Sequence, residues 1–184
     1  MAGAGSGSYS SAAKWLHWLV ALSVLMVIPV GIAMNGADPG PVQDGLYNLH
    51  KSLGVLIFIL MVLRIANRLA VGAPPQEPGL AAWQHWVSSA VHWLFYVLLL
   101  AMPVIGYVAN SAFGATTPFF GLFDLPQIVA KNDALSERLF GLHKLLGFVV
   151  AALALLHIAA ALQHLMLTRD RVMQRMLPRA LGGS

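Results

Sequence analysis

Four apolar stretches, each about 20 residues or longer, constrain this chain more than any other feature it carries. They cover about 15–34, 46–69, 82–108 and 139–167, and each is long enough to cross ~30 Å of hydrocarbon as a helix. The expected fold is an all-α membrane protein, a four-transmembrane-helix bundle forming a single domain over 1–184. Pro29 and Pro103 fall inside two of the spans, where membrane helices tolerate proline because neighbouring groups satisfy the freed carbonyls. Residues 35–41 and 72–75 are rich in glycine, proline and asparagine and read as loops. Residues 110–136 form a longer connection with its own apolar patch at 118–123, expected to pack over the bundle end as a cap or to dip into it. Residues 1–10 read as a flexible leader. The first span is longer than a cleavable h-region and holds a histidine at its edge, so it reads as a retained helix.

Composition supports a membrane class. Charged residues make up 10% and hydrophobic residues 58%, where a soluble domain has roughly 25% and 45–50%. A net charge of +4 in so apolar a chain reads as a topology signal, not as a nucleic-acid surface. Lys14, Arg64, Arg68, Arg169, Arg171, Arg175 and Arg179 would lie on the side of the termini, and Lys51, Lys131, Arg138 and Lys144 on the other. Asp38, Asp44, Asp124, Asp133 and Glu137 join the second group. Both termini are therefore expected inside. Trp15, Trp18, Trp83, Trp86 and Trp93 all fall near that inner interface, as an aromatic belt does. The absence of cysteine excludes disulfides, thiolate metal sites and covalent haem attachment through CxxCH.

The seven histidines carry the chemistry. His143 and His157 are 14 residues apart in the fourth span, about four turns and about 21 Å, so both face one way at two depths. His17 opens the first span inside and His50 opens the second outside. Each depth is thus offered two imidazoles: His17 with His157 within, His50 with His143 without. Two facing imidazoles with no thiolate or carboxylate beside them suit a six-coordinate haem iron, whereas zinc wants three or four ligands in a tetrahedron. The competing reading, hydrogen-bonded core histidines, fits one intramembrane histidine better than four that pair by depth.

The same interval leads from His17 to Gly31, from His92 to Gly106 and from His50 to Arg64. Glycine on a haem-facing stripe would let the flat macrocycle approach the backbone, although ordinary helix packing explains each glycine equally well. Arg64 is placed to pair with a propionate. The strings His50-Lys51-Ser52-Leu53-Gly54 and His143-Lys144-Leu145-Leu146-Gly147 are alike and read as a local echo from serving one haem, not as a duplicated domain. His92 lies at the inner level, where a propionate, a quinone or a structural hydrogen bond would each suit it. His164, seven residues past His157, is placed to donate to a quinone carbonyl or relay a proton. His85, among Trp83 and Trp86, reads as a surface residue.

At this point the chain resembles the bacterial cytochrome b561 family of small di-haem membrane proteins. The matching pieces are Lys14-Trp15-Leu16-His17-Trp18-Leu19, Asn48-Leu49-His50-Lys51, Met61-Val62-Leu63-Arg64, His92 with Leu100-Ala101-Met102-Pro103-Val104-Ile105-Gly106, His143, His157 with His164, and Arg175-Met176-Leu177-Pro178-Arg179. The resemblance implies four helices, two haem b groups ligated by His17, His50, His143 and His157, exchange of electrons with a membrane quinone, and a place in the bacterial inner membrane. It is greatest to the members that oxidise superoxide at the outer face and pass the electrons to ubiquinone. Lys51, Lys144, Arg138 and Lys131 would then draw the anion to the outer rim. The alternative expectation is a cytochrome b subunit that relays electrons from a partner dehydrogenase or hydrogenase, docked on the long outer loop.

Overall fold

The computed structural model describes residues 7–75, 81–178 and 180. Four helices make up most of it: α1 (Ser11–Gly36), α2 (Pro41–Val71), α3 (Ala82–Phe113) and α4 (Asp133–Gln163). All four are long and apolar enough to cross a membrane. Helices α1, α2 and α3 contain their expected spans, while the fourth span, 139–167, runs past the end of α4 into the turn at His164–Thr168. Helices α1, α2 and α4 begin before their apolar windows because their N-terminal signals lie outside them. The Ser10 hydroxyl accepts from the Ala13 N–H and the Asn132 side chain from the Leu135 N–H, while Pro41 stands in the first turn of α2. Pro29 and Pro103 lie within α1 and α3.

Helix α1 packs along α2, α2 along α3 and α3 along α4, whereas α4 has no comparable backbone contact with α1 or α2. The buried core is small and sits at mid-depth. Val24, Ile57, Leu99 and Val150, one from each helix, are buried together in one cluster with Val20, Leu60, Met61 and Leu98. Each of the four lies seven residues past a histidine: His17, His50, His92 and His143. That is about two turns, so the four side chains meet halfway between the two histidine levels. Outward positions such as Leu22, Val97, Leu155 and Leu156 are exposed apolar surface, as a lipid-facing surface requires.

The connection after α3 is a cap with strands in it. β1 (Thr117–Phe119) pairs antiparallel with β2 (Phe123–Leu125), with Pro118 opposite Asp124. Phe120 and Gly121 turn the hairpin at positive φ. The Asn110 side chain holds its entry, donating to the carbonyls of Ala115 at 3.0 Å and Thr116 at 2.9 Å and to the Thr117 hydroxyl at 2.8 Å. The Ser52 hydroxyl donates to the Pro118 carbonyl at 3.1 Å and accepts from the Phe120 N–H at 2.9 Å. Ser111 receives the N–H groups of Ile128 and Val129, and Tyr107 donates to the Pro126 carbonyl.

At the other end, α4 loosens into a π-turn (His164–Thr168) and reverses at Arg169, which adopts a left-handed conformation. The following segment folds back over the start of α1. Trp18 donates its indole N–H to the Met176 carbonyl at 3.0 Å, and the Tyr9 N–H and Ser8 hydroxyl reach the Arg175 carbonyl. Arg175 in turn donates to the Pro75 carbonyl. Ser8 and Tyr9, expected in a flexible leader, are therefore tied down by the returning chain; residues 1–6 of that leader lie outside the described residues. Lys14, read as an inner-side charge, is buried under this segment. Arg179, read likewise, lies outside the described residues.

Candidate haem sites

The histidines of α1, α2 and α4 meet in pairs at two depths. The ring centroids of His17 and His157 are 6.2 Å apart with planes crossed at 70°. Those of His50 and His143 are 6.0 Å apart, crossed at 75°. Two imidazoles trans on one metal ion need about 2 Å for each metal–nitrogen bond and roughly 1 Å more to each ring centre, about 6 Å in all. Both pairs have that spacing. Among the described residues, no group of three or more His, Asp or Glu is arranged to hold a metal ion, and each level offers two imidazoles that could hold a haem iron between them.

The second pair is oriented by the backbone. His50 Nδ1 lies 3.2 Å from the Val27 carbonyl and His143 Nδ1 lies 3.1 Å from the Met102 carbonyl. A ring that donates from Nδ1 presents Nε2 as the metal ligand. Both carbonyls stand four residues before a glycine, Gly31 and Gly106. A Cβ on Gly31 would come within 2.9 Å of His50 Cε1, and one on Gly106 within 3.0 Å of His143 Cε1. The two glycines were expected to seat the macrocycle. The imidazole edges occupy that space instead, and each glycine acts on the site through the ligand it admits.

This equivalence extends beyond a local echo. Shifting α1 by 75 residues onto α3 superposes His17-Trp18-Leu19 on His92-Trp93-Leu94 and Gly31 on Gly106. Shifting α2 by 93 onto α4 superposes Leu49-His50-Lys51 on Leu142-His143-Lys144, Gly54 on Gly147, and Arg64-Ile65-Ala66 on His157-Ile158-Ala159. The bundle is two helical hairpins built alike, each seating the histidine of its second helix against the glycine of its first. The 14-residue interval was visible in the sequence. The repeat needed both offsets together, and the different connecting lengths hid it.

A comparison with known proteins now decides the family. The model of the prokaryotic cytochrome b561 family matches residues 8–179. The chain belongs to that family. A probable superoxide oxidase of Yersinia pestis is 31% identical over 174 residues, 95% of this chain and 98% of that protein. Cytochrome b561 homolog 2 of Escherichia coli K12 is 31% identical over 165 residues, 88% of this chain and 86% of that one. Cytochrome b562 of Cereibacter sphaeroides is 28% identical over 171 residues, 88% and 90% of the two chains. The protein is thus an integral membrane electron-transfer cytochrome of the b561 family, which binds b-type haem, and the histidine pairs fit that group.

Around the first pair stand the other inner residues. His92 is 5.7 Å from His157, ring centre to ring centre, and Phe95 is 5.6 Å from it. The Arg64 guanidinium lies 5.9 Å from the Tyr96 ring centre and 3.5 Å from the Ala13 carbonyl. His85 is half-buried. His164 Nδ1 meets Asp170 Oδ2 at 2.5 Å, a partner that sequence reasoning missed; its signal was a single carboxylate between Arg169 and Arg171. At the opposite end Lys51 donates to the Thr116 carbonyl at 3.0 Å, and Lys131 lies 3.7 Å from Asp133. Lys144 and Arg138 are exposed.

Proposed function

We propose that this cytochrome carries electrons from superoxide on the outer face to ubiquinone in the membrane, using two b-type haems held by His17 with His157 and by His50 with His143. The observation that carries the reading is the pair of imidazole pairs, each about 6 Å across, on one four-helix core. The likeness to a relative named probable superoxide oxidase supports the donor. A b-type haem at each level supplies one-electron redox chemistry and a path between the two faces. Both termini then lie on the cytoplasmic side of a bacterial inner membrane, the arginine-rich side.

The chain's own residues supply the rest. Lys51, Lys144, Arg138 and Lys131 draw a small anion toward the outer pair. Lys51 also keeps the hairpin seated above His50 through the Thr116 carbonyl. Arg64 and His92 flank the inner pair, where carboxylate groups of a macrocycle take a guanidinium and an imidazole as partners. Two superoxide ions each yield one electron and leave as dioxygen. One ubiquinone takes two electrons and two protons and leaves as ubiquinol, with His164 at the quinone carbonyl.

The test is anaerobic addition of superoxide to purified oxidised protein while the haem bands are followed, with and without a ubiquinone analogue. Reduction of both haems and their reoxidation by the quinone is the expected result. Absence of reduction by superoxide overturns the donor. A second reading, relay from a partner dehydrogenase or hydrogenase, is favoured by the exposed apolar hairpin tip, where Leu122 is 75% and Phe123 57% accessible. Co-purification of a redox protein at fixed stoichiometry would select it.

A further inference from the structure

Past the last ligand candidate of α4, the chain builds a pair that the electron path alone does not require. His164 begins the π-turn, and the left-handed Arg169 then swings Asp170 back onto it. Asp170 Oδ2 meets His164 Nδ1 at 2.5 Å, while Asp170 Oδ1 accepts the Val172 N–H at 3.0 Å. Both side chains are largely enclosed, 19% and 17% accessible. The carboxylate is thus held on both oxygens. Its segment is fastened in turn through Met176 to Trp18 and through Arg175 to Tyr9 and Pro75. π-turns inside helices recur at functional sites, and this one moves the carboxylate into register with the imidazole.

An ionised carboxylate only accepts hydrogen bonds, so the Nδ1 proton points at Asp170 and Nε2 is the atom left to work. His164 lies seven residues, about 10 Å along the helix, from His157 and on the same face. We propose that Asp170 is a positioning residue that fixes His164 as the proton donor to the acceptor quinone, a reading that rests on His164 standing at the quinone carbonyl. The imidazolium, stabilised by Asp170, gives its Nε2 proton to a quinone oxygen as the two electrons arrive through the haem path. The second proton comes from water on the terminal side, which also reprotonates His164. Quinone, two electrons and two protons become quinol, and the dyad returns to its starting state.

Dithionite-reduced protein mixed anaerobically with a short-chain ubiquinone analogue, with the haem bands followed, separates the alternatives. Asp170→Asn offers Nδ1 an amide that cannot stabilise the imidazolium. Reoxidation is expected to slow at least tenfold at saturating quinone, with the half-saturating quinone concentration little changed and the haem spectrum intact. Asp170→Glu should recover most of the rate, and the wild-type solvent deuterium isotope effect should change in Asp170→Asn. If His164→Phe slows reoxidation while Asp170→Asn does not, the positioning role is wrong. If His164→Phe leaves reoxidation unchanged, the placement of the quinone at His164 is wrong, and the inference falls with it. Should Asp170→Asn fail to fold, a wild-type isotope effect of one at saturating quinone would overturn the proposal.

Discussion

His50 lies so close to Gly31 that a single added carbon would meet its ring at 2.9 Å. His143 stands in the same relation to Gly106 at 3.0 Å. Each ring carries its Nδ1 to the carbonyl four residues before that glycine, Val27 for His50 and Met102 for His143, so one backbone groove sets both the ring position and which nitrogen is left free. Alanine favours a helix over glycine by about 1 kcal/mol, and Gly31→Ala or Gly106→Ala should therefore fold. Each should nevertheless displace its imidazole by a few tenths of an ångström and lower haem content toward one per chain. Gly45→Ala, where a Cβ meets nothing within 4 Å, should keep the full complement. Haem-to-protein ratios measure this, and wild-type occupancy in both glycine variants would show that the grooves do not hold the ligands.

Much of this arrangement was legible in the sequence. Span lengths gave four helices, and the 14-residue interval gave two depths and the partners at each. The helix ends were less so, because the Ser10 and Asn132 caps and the N-terminal Pro41 lie outside the apolar windows. Val24, Ile57, Leu99 and Val150 each sit midway along a 14-residue interval, yet aliphatic residues in an aliphatic span give no contrast to mark them. The segment 110–136 reads in the sequence as a cap or a re-entrant piece, and its strands at 117–125 are not visible there because three-residue strands carry almost no periodicity. What holds the hairpin is Ser52, two residues past the ligand candidate His50 in α2, and Asn110 near the end of α3, contacts that only the folded chain brings together. Asp170 escaped notice because a π-turn shifts the register that a 3.6-residue period assumes.

The ligand assignment predicts that the two ends fail separately. His143→Ala should remove one haem and His157→Ala the other, while His50→Ala should reproduce the spectrum of His143→Ala, and His17→Ala that of His157→Ala. The buried layer of Val24, Ile57, Leu99 and Val150 separates the levels, so each site can empty without the other. Pyridine haemochrome content with low-temperature difference spectra would distinguish the two. Loss of both haems in every variant would mean that the levels do not fold independently.

Asn110 concentrates the hairpin's stability in one side chain. Its amide serves three acceptors while itself only 7% accessible. Asn110→Ala removes donors to two part-buried carbonyls and the buried Thr117 hydroxyl, at a cost of roughly 1–3 kcal/mol, and should lower the thermal midpoint in detergent. Asn110→Asp should be worse, because an ionised carboxylate has no donor and faces the same carbonyls. Leu122→Ser, on the exposed tip, should leave the midpoint unchanged. Equal midpoints for Asn110→Ala and wild type would show that the cap is held by its strands alone.

Electrostatic steering makes a quantitative demand on the outer face. Lys144 and Arg138 are exposed, so salt should screen them within a Debye length of about 10 Å at 0.1 M. Asp133 at 3.7 Å weakens the contribution of Lys131, while Lys51 keeps its charge as it donates to the neutral Thr116 carbonyl. The rate of haem reduction by superoxide should therefore fall as ionic strength rises. Lys144→Gln combined with Arg138→Gln should lower the rate several-fold at low salt and flatten its salt dependence, while Lys131→Gln alone should have a smaller effect. Stopped-flow traces from 10 to 300 mM salt would measure the slopes. A rate indifferent to salt in the wild type would remove steering from the mechanism, leaving only diffusion to bring the anion to the hairpin end.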